Sequence, residues 1–178
     1  MTGSKLQIAF RKPEPKDLDA FYEQKNDPRV KCLLGGFSRP QSRRDLDEWL
    51  EFHRSRPDEV LWTIVSIIDQ RCLGHVGLYK IDPISRSSDF GIMIGDPAAW
   101  GCGVGTQATL HALRHAFNHE NLNRVSLTVL ATNDRAIRLY RKVGFIEEGC
   151  LREAQFRDGK YIDLIAMGLL KHEFVDGD

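Results

Sequence analysis

The sequence predicts a mixed α/β fold in one domain, and three observations carry that prediction. Strand-like and helix-like apolar periods follow one another as β-α-α-β-β-β-α-β-α-β-β, with no linker and no repeat between them. The chain has 178 residues, enough for one ordinary domain with a real core and short for two, so the domain is expected to span 1–178. Near the carboxy terminus, Asp158-Gly159 between two apolar runs is a strong hairpin signal.

Leu6 to Arg11 alternates apolar and polar residues and predicts the first strand. Pro15-Lys16-Asp17 opens a helix carrying Leu18, Phe21 and Tyr22, and Asn26-Asp27-Pro28 ends it. Val30 to Pro40 holds adjacent glycines and no period, which predicts a loop. A second helix, capped at or near Ser42, puts Leu46, Trp49, Leu50 and His53 on one stripe.

Val60 to Ile68 and Cys72 to Ile81 are strands flanking an Asp69-Gln70 turn, and Ser88 to Ile94 is the next. Val125 to Ala131 is a near-continuous apolar run, the pattern of a strand covered on both faces. A helix over Gly103 to His119 precedes that run, and one over Asn133 to Val143 follows it. Phe145 to Phe156 and Tyr161 to Leu170 complete the hairpin.

Composition excludes several functions. Formal net charge is zero, so no global field draws the chain to nucleic acid or an anionic membrane. Met1 to Arg11 has no signal-peptide core, and no segment approaches the roughly 18 apolar residues of a membrane span. Cys32, Cys72, Cys102 and Cys150 are scattered, which argues against a disulfide framework or zinc site and for free thiols in a reducing cytoplasm. His111, His115 and His119 recur at metal-ligand spacing. On the wheel set by Leu110, Leu113 and Phe117 they project to solvent, with no carboxylate to complete a site, so no metal is expected.

Two motifs lie one helix plus one strand apart. The first is Trp100-Gly101-Cys102-Gly103-Val104-Gly105-Thr106, a glycine-rich turn that opens a helix. Helix-start N–H groups lack intrahelical partners and carry the positive end of the dipole, so such a turn can wrap phosphate oxygens. No Gly-Lys-Ser/Thr follows, and the third glycine of a dinucleotide fingerprint would fall on Thr106. By itself the turn can also be a structural one whose glycines supply left-handed conformations.

The second motif is Asn133-Asp134-Arg135-Ala136, then Tyr140, then Gly144-Phe145. Asn133 is a good helix cap, and Ala136, Ile137, Tyr140 and Val143 share a face. A capped helix with a core tyrosine is the plain alternative here.

Together the motifs resemble the acetyl-CoA site of the GCN5-related N-acetyltransferases, the GNAT family. The likeness covers the whole chain in element order, although its specific residues lie in the second half. It implies a central, mostly antiparallel sheet of six or seven strands flanked by about four helices. It also implies acetyl-CoA as co-substrate and direct acetyl transfer to a primary amine of a small molecule or a protein amino terminus. In the family's loop, (Arg/Gln)-x-x-Gly-x-(Gly/Ala), Gly103-Val104-Gly105 fit, while Trp100 stands where Arg or Gln is common.

Carried onto this sequence, the resemblance assigns the backbone from Gly101 through Cys102, Gly103, Val104 and Gly105 to Thr106 to the pyrophosphate. Asn133 is assigned to the pantetheine amides. Tyr140 becomes the proton donor, because a leaving thiolate needs a proton and a phenol of pKa about 10 can give one. Acetyl-CoA docks in the family as a false strand, which makes Met93, Ile94 and Gly95 cofactor contacts. Arg138 and Lys142 are candidates for the CoA phosphates, and Arg135 is expected to be solvated.

An alkylammonium, with pKa near 10, must also lose a proton. Asp89, on one face with Gly91 and Met93, is the candidate acceptor, alone or through water. Its alternative is a solvated loop end.

For the acceptor amine, the resemblance points to Asp27, Arg29, Phe37, Trp49, Trp62, Tyr161 and Asp163. The tail Phe156-Arg157-Asp158-Gly159-Lys160-Tyr161-Ile162-Asp163 resembles a branch holding ribosomal-protein amino-terminal, spermidine and nucleotide-sugar acetyltransferases. Arg39, Arg43, Arg44, Arg54 and Arg56 lean toward an acceptor bearing phosphate or carboxylate. The rival from another class is a non-catalytic module that senses acyl-CoA. A homodimer is the oligomer expected if one forms.

Overall fold

The structure is a computed structural model and describes residues 6–35 and 39–176. Strands form at nearly the predicted positions: β1 (Ile8–Arg11), β2 (Val60–Ser66), β3 (Cys72–Asp82), β4 (Ser87–Ile94), β5 (Arg124–Leu130), β6 (Ile146–Arg157) and β7 (Lys160–Leu170). Among the described residues five α-helices accompany them: α1 (Leu18–Asn26), α2 (Pro28–Lys31), α3 (Arg43–Arg54), α4 (Val104–Arg114) and α5 (Asp134–Lys142). The single turn α2 falls where a loop was expected. Asp27 accepts from Arg29 N–H and Pro28 takes the first helical position, so the residues that stop α1 also start α2.

All seven strands join one sheet in the order β1-β2-β3-β4-β5-β7-β6. Every neighbouring pair is antiparallel except β4–β5, which is parallel. The hairpin turn is built as predicted, with Asp158 at φ 48° and Gly159 at φ 78°.

One sheet face carries the larger core. Ile64, Val76, Leu78, Val125, Met167 and Leu169 pack there against Ala108, Ala112, Leu113 and Phe117 of the α4 segment. On the opposite pleat Met93 joins Phe21, Val30 and Leu46 of the first three helices, with Trp49 against them. Asp17 anchors that layer. It is 2% exposed, accepts from both Arg11 guanidinium nitrogens at 2.6–2.7 Å, and takes the Thr63 hydroxyl at 3.1 Å.

Two expectations are corrected. His111 does not face water: its ring stacks 3.9 Å from Phe10, and Trp62 lies 5.0 Å away from it. Ala108 and Ala112 face the sheet, because small side chains let the helix approach closely, and this turns His111 toward β1 and β2. His115 also packs on Trp62, and no group of three metal-binding side chains occurs among the described residues. Secondly, β5 is covered along its length on one face only, since on the other face Leu130 is buried but the positions before it are not. Val125, Leu127 and Val129 are buried, while Thr128 is exposed and Ser126 half-buried. The open face of β5 borders the site described next.

Candidate active site

β4 and β5 pair over three rungs only, ending at Asp89↔Ser126. Beyond that rung the strands part, and a cleft of about 790 Å³ opens between Phe90–Ile94 on one side and Thr128–Leu130 on the other. The edge of β4 facing the gap has free backbone groups. Gly95 N–H donates to Leu73 on β3 (2.8 Å), so strand alternation turns the N–H and C=O of Ile92 and Ile94 toward the cleft. The Trp100 indole N–H already takes the Ile94 carbonyl at 2.8 Å.

At one end of the cleft the glycine turn delivers the start of α4. Gly101 and Gly103 adopt φ 81° and 79°, the left-handed region open to glycine at little cost, and Gly103 caps the helix. A Cβ on Gly105 would meet Leu139 Cδ1 of α5 at 2.6 Å, so the third glycine lets α4 and α5 close on each other. The helix-start N–H groups of this segment are donors placed for an anion.

The opposite wall is α5. Asn133 caps it by accepting from Ala136 N–H (3.1 Å), and Gly144 at φ 105° ends it, with Phe145 N–H returning to the Tyr140 carbonyl (3.0 Å). That exit angle seats Phe145 5.8 Å from the Tyr140 ring, with Phe90 6.1 Å away on another side. Tyr140 is 8% exposed, lines the cleft, and burial pushes its phenol pKa up.

A cleft with helix-start donors at one end and a protonated buried phenol along its wall can hold a long polar thioester and donate to its sulfur. Known proteins carry the same plan. Residues 7–146 match the family profile described as an acetyltransferase (GNAT) domain. The chain belongs to the GNAT acetyltransferase family.

Spermidine N(1)-acetyltransferase of Vibrio cholerae is 30% identical over 171 residues, covering 96% of each chain. L-amino acid N-acetyltransferase AaaT of Escherichia coli is 28% identical, covering 93% of this chain and 99% of that one. The crystal structure of the V. cholerae spermidine N-acetyltransferase in complex with CoA and spermine superposes with a TM-score of 0.85 at 30% identity, over 94% of this chain and 97% of that one. The protein is an acetyl-CoA-dependent N-acetyltransferase with the GNAT fold, its seven-stranded mixed sheet flanked by helices.

Most predicted positions of this GNAT enzyme meet in the cleft: Met93, Ile94, Gly101, Gly103, Val104, Gly105, Thr106, Asn133, Tyr140 and Lys142 line it. Four do not. Gly95 lies in a separate groove beside Gln24. Cys102 packs toward the core, its carbonyl accepting from Leu6 N–H. Arg138 is exposed on the outer side of α5. Asp89 sits on the last β4–β5 rung, where its carboxylate accepts from Ser126 Oγ (3.2 Å) and pairs with Lys80 Nζ (2.9 Å). Asn133 is more committed than the sequence suggests, since its amide also donates to the Leu33 carbonyl at 3.0 Å.

The sequence reading missed Arg135 as a cleft residue. Its guanidinium carbon lies 5.0 Å over the Trp100 ring, and with Lys142 it supplies the charge among the described lining residues. Trp100 was the available signal, because an indole in place of Arg or Gln leaves a flat partner for a neighbouring guanidinium.

The acceptor candidates fare differently. Trp62 lies on the α4 face, Trp49 packs between α1 and α3, Tyr161 is 65% exposed, and Asp27 pairs with Arg29 in the Gln24 groove. Asp163 accepts from the Glu153 N–H within the hairpin, and Phe37 lies outside the described residues. Of the arginines, Arg43, Arg44, Arg54 and Arg56 pair with Asp19, Glu48, Glu51 and Asp58, away from the cleft. These four therefore lend no support to the lean toward an acceptor bearing phosphate or carboxylate.

Proposed function

We propose that this single-domain enzyme acts in the cytoplasm and moves acetyl directly from acetyl-CoA to a primary amine that carries no further cationic group, such as an amino acid or a peptide amino terminus. One observation carries the acceptor class. The end of the cleft away from the glycine turn is lined by Val30, Leu33, Leu34, Thr128, Gln155 and Leu164, with no carboxylate among the described lining residues. A polycation desolvated there would lack counter-charge, a costly arrangement. No described helix is long and apolar enough to cross a membrane.

The roles follow from position. The Gly101–Thr106 backbone at the start of α4 holds the pyrophosphate, with Arg135 and Lys142 on the phosphates. The free edge at Ile92 and Ile94 aligns the pantetheine, and Asn133 holds the adjoining wall. Tyr140 keeps its proton until the thiolate leaves. Asp89, half-exposed on the same pleat as Gly91, takes the amine proton directly or through water. Arg135→Ala is expected to weaken acetyl-CoA roughly tenfold or more by calorimetry, the loss of about one charge-assisted bond.

A second reading, a polyamine acceptor, draws on the likeness to the V. cholerae spermidine enzyme. CoA thiol release from acetyl-CoA decides between them, with polyamines, nucleotide-linked amino sugars, amino acids and short peptides offered in parallel. Fastest release with amino acids or peptides is the expected result. Release with polyamines alone would overturn the acceptor class. Tight acetyl-CoA binding without release from any amine would favour the sensing module.

A further inference from the structure

We propose that Arg157 is a positioning residue for the acceptor amine, acting through the carbonyls of the α2 turn; this rests on the neutral end of the cleft being the acceptor end. Arg157 ends β6, is 9% exposed, and has no carboxylate partner among the described residues. Its guanidinium instead crosses to the amino-terminal helices, donating to the Lys31 carbonyl at 2.6 Å and to the Leu34 carbonyl.

That is an unusual place to bury a charge, and the turn explains it. Four residues of helix cannot sustain themselves; the Lys31 carbonyl that ends this one takes the Leu34 N–H at 3.2 Å and, at the negative end of the dipole, keeps a second lone pair for a cation. A planar cation with several donors suits two neighbouring carbonyls. From the other side, Asn133 of the α5 cap takes the intervening Leu33 carbonyl at 3.0 Å. Three successive segments of the cleft therefore meet at one turn: the C-terminal hairpin, the α2 turn and the start of α5.

The consequence lies in the wall. Leu33 and Leu34 line the acceptor end, and so does Gln155, two residues before Arg157 on the same strand. Between Leu151 and Gln155 the β6–β7 register shifts, with Glu153 at φ 52°, so the strand bends just before it reaches the turn. Arg157 is the bolt that sets how far the bent strand and the turn stand apart. Without it, the Asn133 bond is the tie from another segment that holds these carbonyls among the described residues, beside the turn's own Leu33 N–H to Val30 and Leu34 N–H to Lys31.

The test uses the whole protein with Arg157→Ala and Arg157→Lys. Steady-state kinetics with the best acceptor, calorimetric acetyl-CoA binding, and hydrogen exchange of the turn amides are measured on each. The expected result for Arg157→Ala is an acceptor KM raised tenfold or more, an unchanged acetyl-CoA affinity, and faster exchange at Leu33 and Leu34 than at β3. Arg157→Lys, which keeps a cation but can hold fewer carbonyls, is expected to fall between, and it carries the test alone if the alanine variant does not fold. An unchanged acceptor KM with faster turn exchange would overturn the positioning role while leaving the bolt in place. Equal losses in acceptor and acetyl-CoA affinity would overturn it as well, marking Arg157 as a general structural residue. A wild-type enzyme inactive on every amine would sink the acceptor-class reading instead, and unchanged turn exchange in both variants would then overturn the bolt on its own.

Discussion

Tyr140→Phe is expected to lower kcat by about 10²–10⁴-fold, the usual worth of a positioned general acid, while acetyl-CoA affinity stays within about twofold. The substitution removes one oxygen and leaves the ring in place between Phe90 and Phe145, so the cleft keeps its shape. Burial pushes the phenol above its ordinary value near 10. The same burial raises the proton affinity of a thiolate formed beside it, so the two stay matched where water would not match them.

The shift also fixes a sign. Because Tyr140 remains protonated beyond pH 10, it contributes no falling limb to the wild-type rate between about pH 7 and pH 10. Over that range kcat/KM should instead rise, as the acceptor ammonium loses its proton. Asp89→Asn should lower kcat/KM if Asp89 receives that proton. Stopped-flow and pH–rate measurements check these outcomes. Full turnover in the Tyr140→Phe enzyme would remove the donor role and leave water to protonate the thiolate.

Much of this plan was legible in the sequence because single residues obeyed local rules. Ser42 and Asn133 cap helices where cap preferences place them, and Asp158-Gly159 forms the hairpin turn its composition demands. Gly103-Val104-Gly105 and Tyr140 were legible as a pair, since the helix and strand between them have a fixed length. What stayed hidden depended on packing between elements. The α4 stripe was misjudged because large Leu110 and Phe117 outweighed the small Ala108 and Ala112, yet it is the alanines that let the helix sit on the sheet. In β5, Ser126 and Thr128 were absorbed into an apolar run, which hid the open face beside the cleft. Arg157 and Asn133 reach carbonyls 126 and 100 residues earlier in the chain, and no spacing rule reports such contacts.

Gly74→Ala is expected to cost about 3 kcal/mol, the upper range for overpacking, and to lower Tm by roughly 6–12 °C. Gly74 lies on β3 opposite Ile94, with φ 148°. A Cβ there would stand 1.9 Å from the Met93 carbonyl oxygen, 2.9 Å from its carbon and 3.1 Å from Gly95 N. All three atoms are backbone of β4 and its exit, so no side chain can swing aside and the strand itself must move. The Met93–Ile94 segment is also the free edge of the cleft, so the same shift should weaken acetyl-CoA binding. Two other glycines separate this steric effect from strain. Gly101→Ala meets nothing within 4 Å and bears only the left-handed penalty of φ 81°, about 1–2 kcal/mol. At Gly95 the three nearest atoms to an added Cβ all belong to the Gln24 side chain, at 2.2–2.5 Å, rather than to backbone. Calorimetric melting should therefore rank Gly74→Ala as the most damaging of the three. A Gly74→Ala protein that melts like wild type but binds acetyl-CoA poorly would mean that β4 yields locally and at little cost, which makes its cleft edge softer than the backbone contacts suggest.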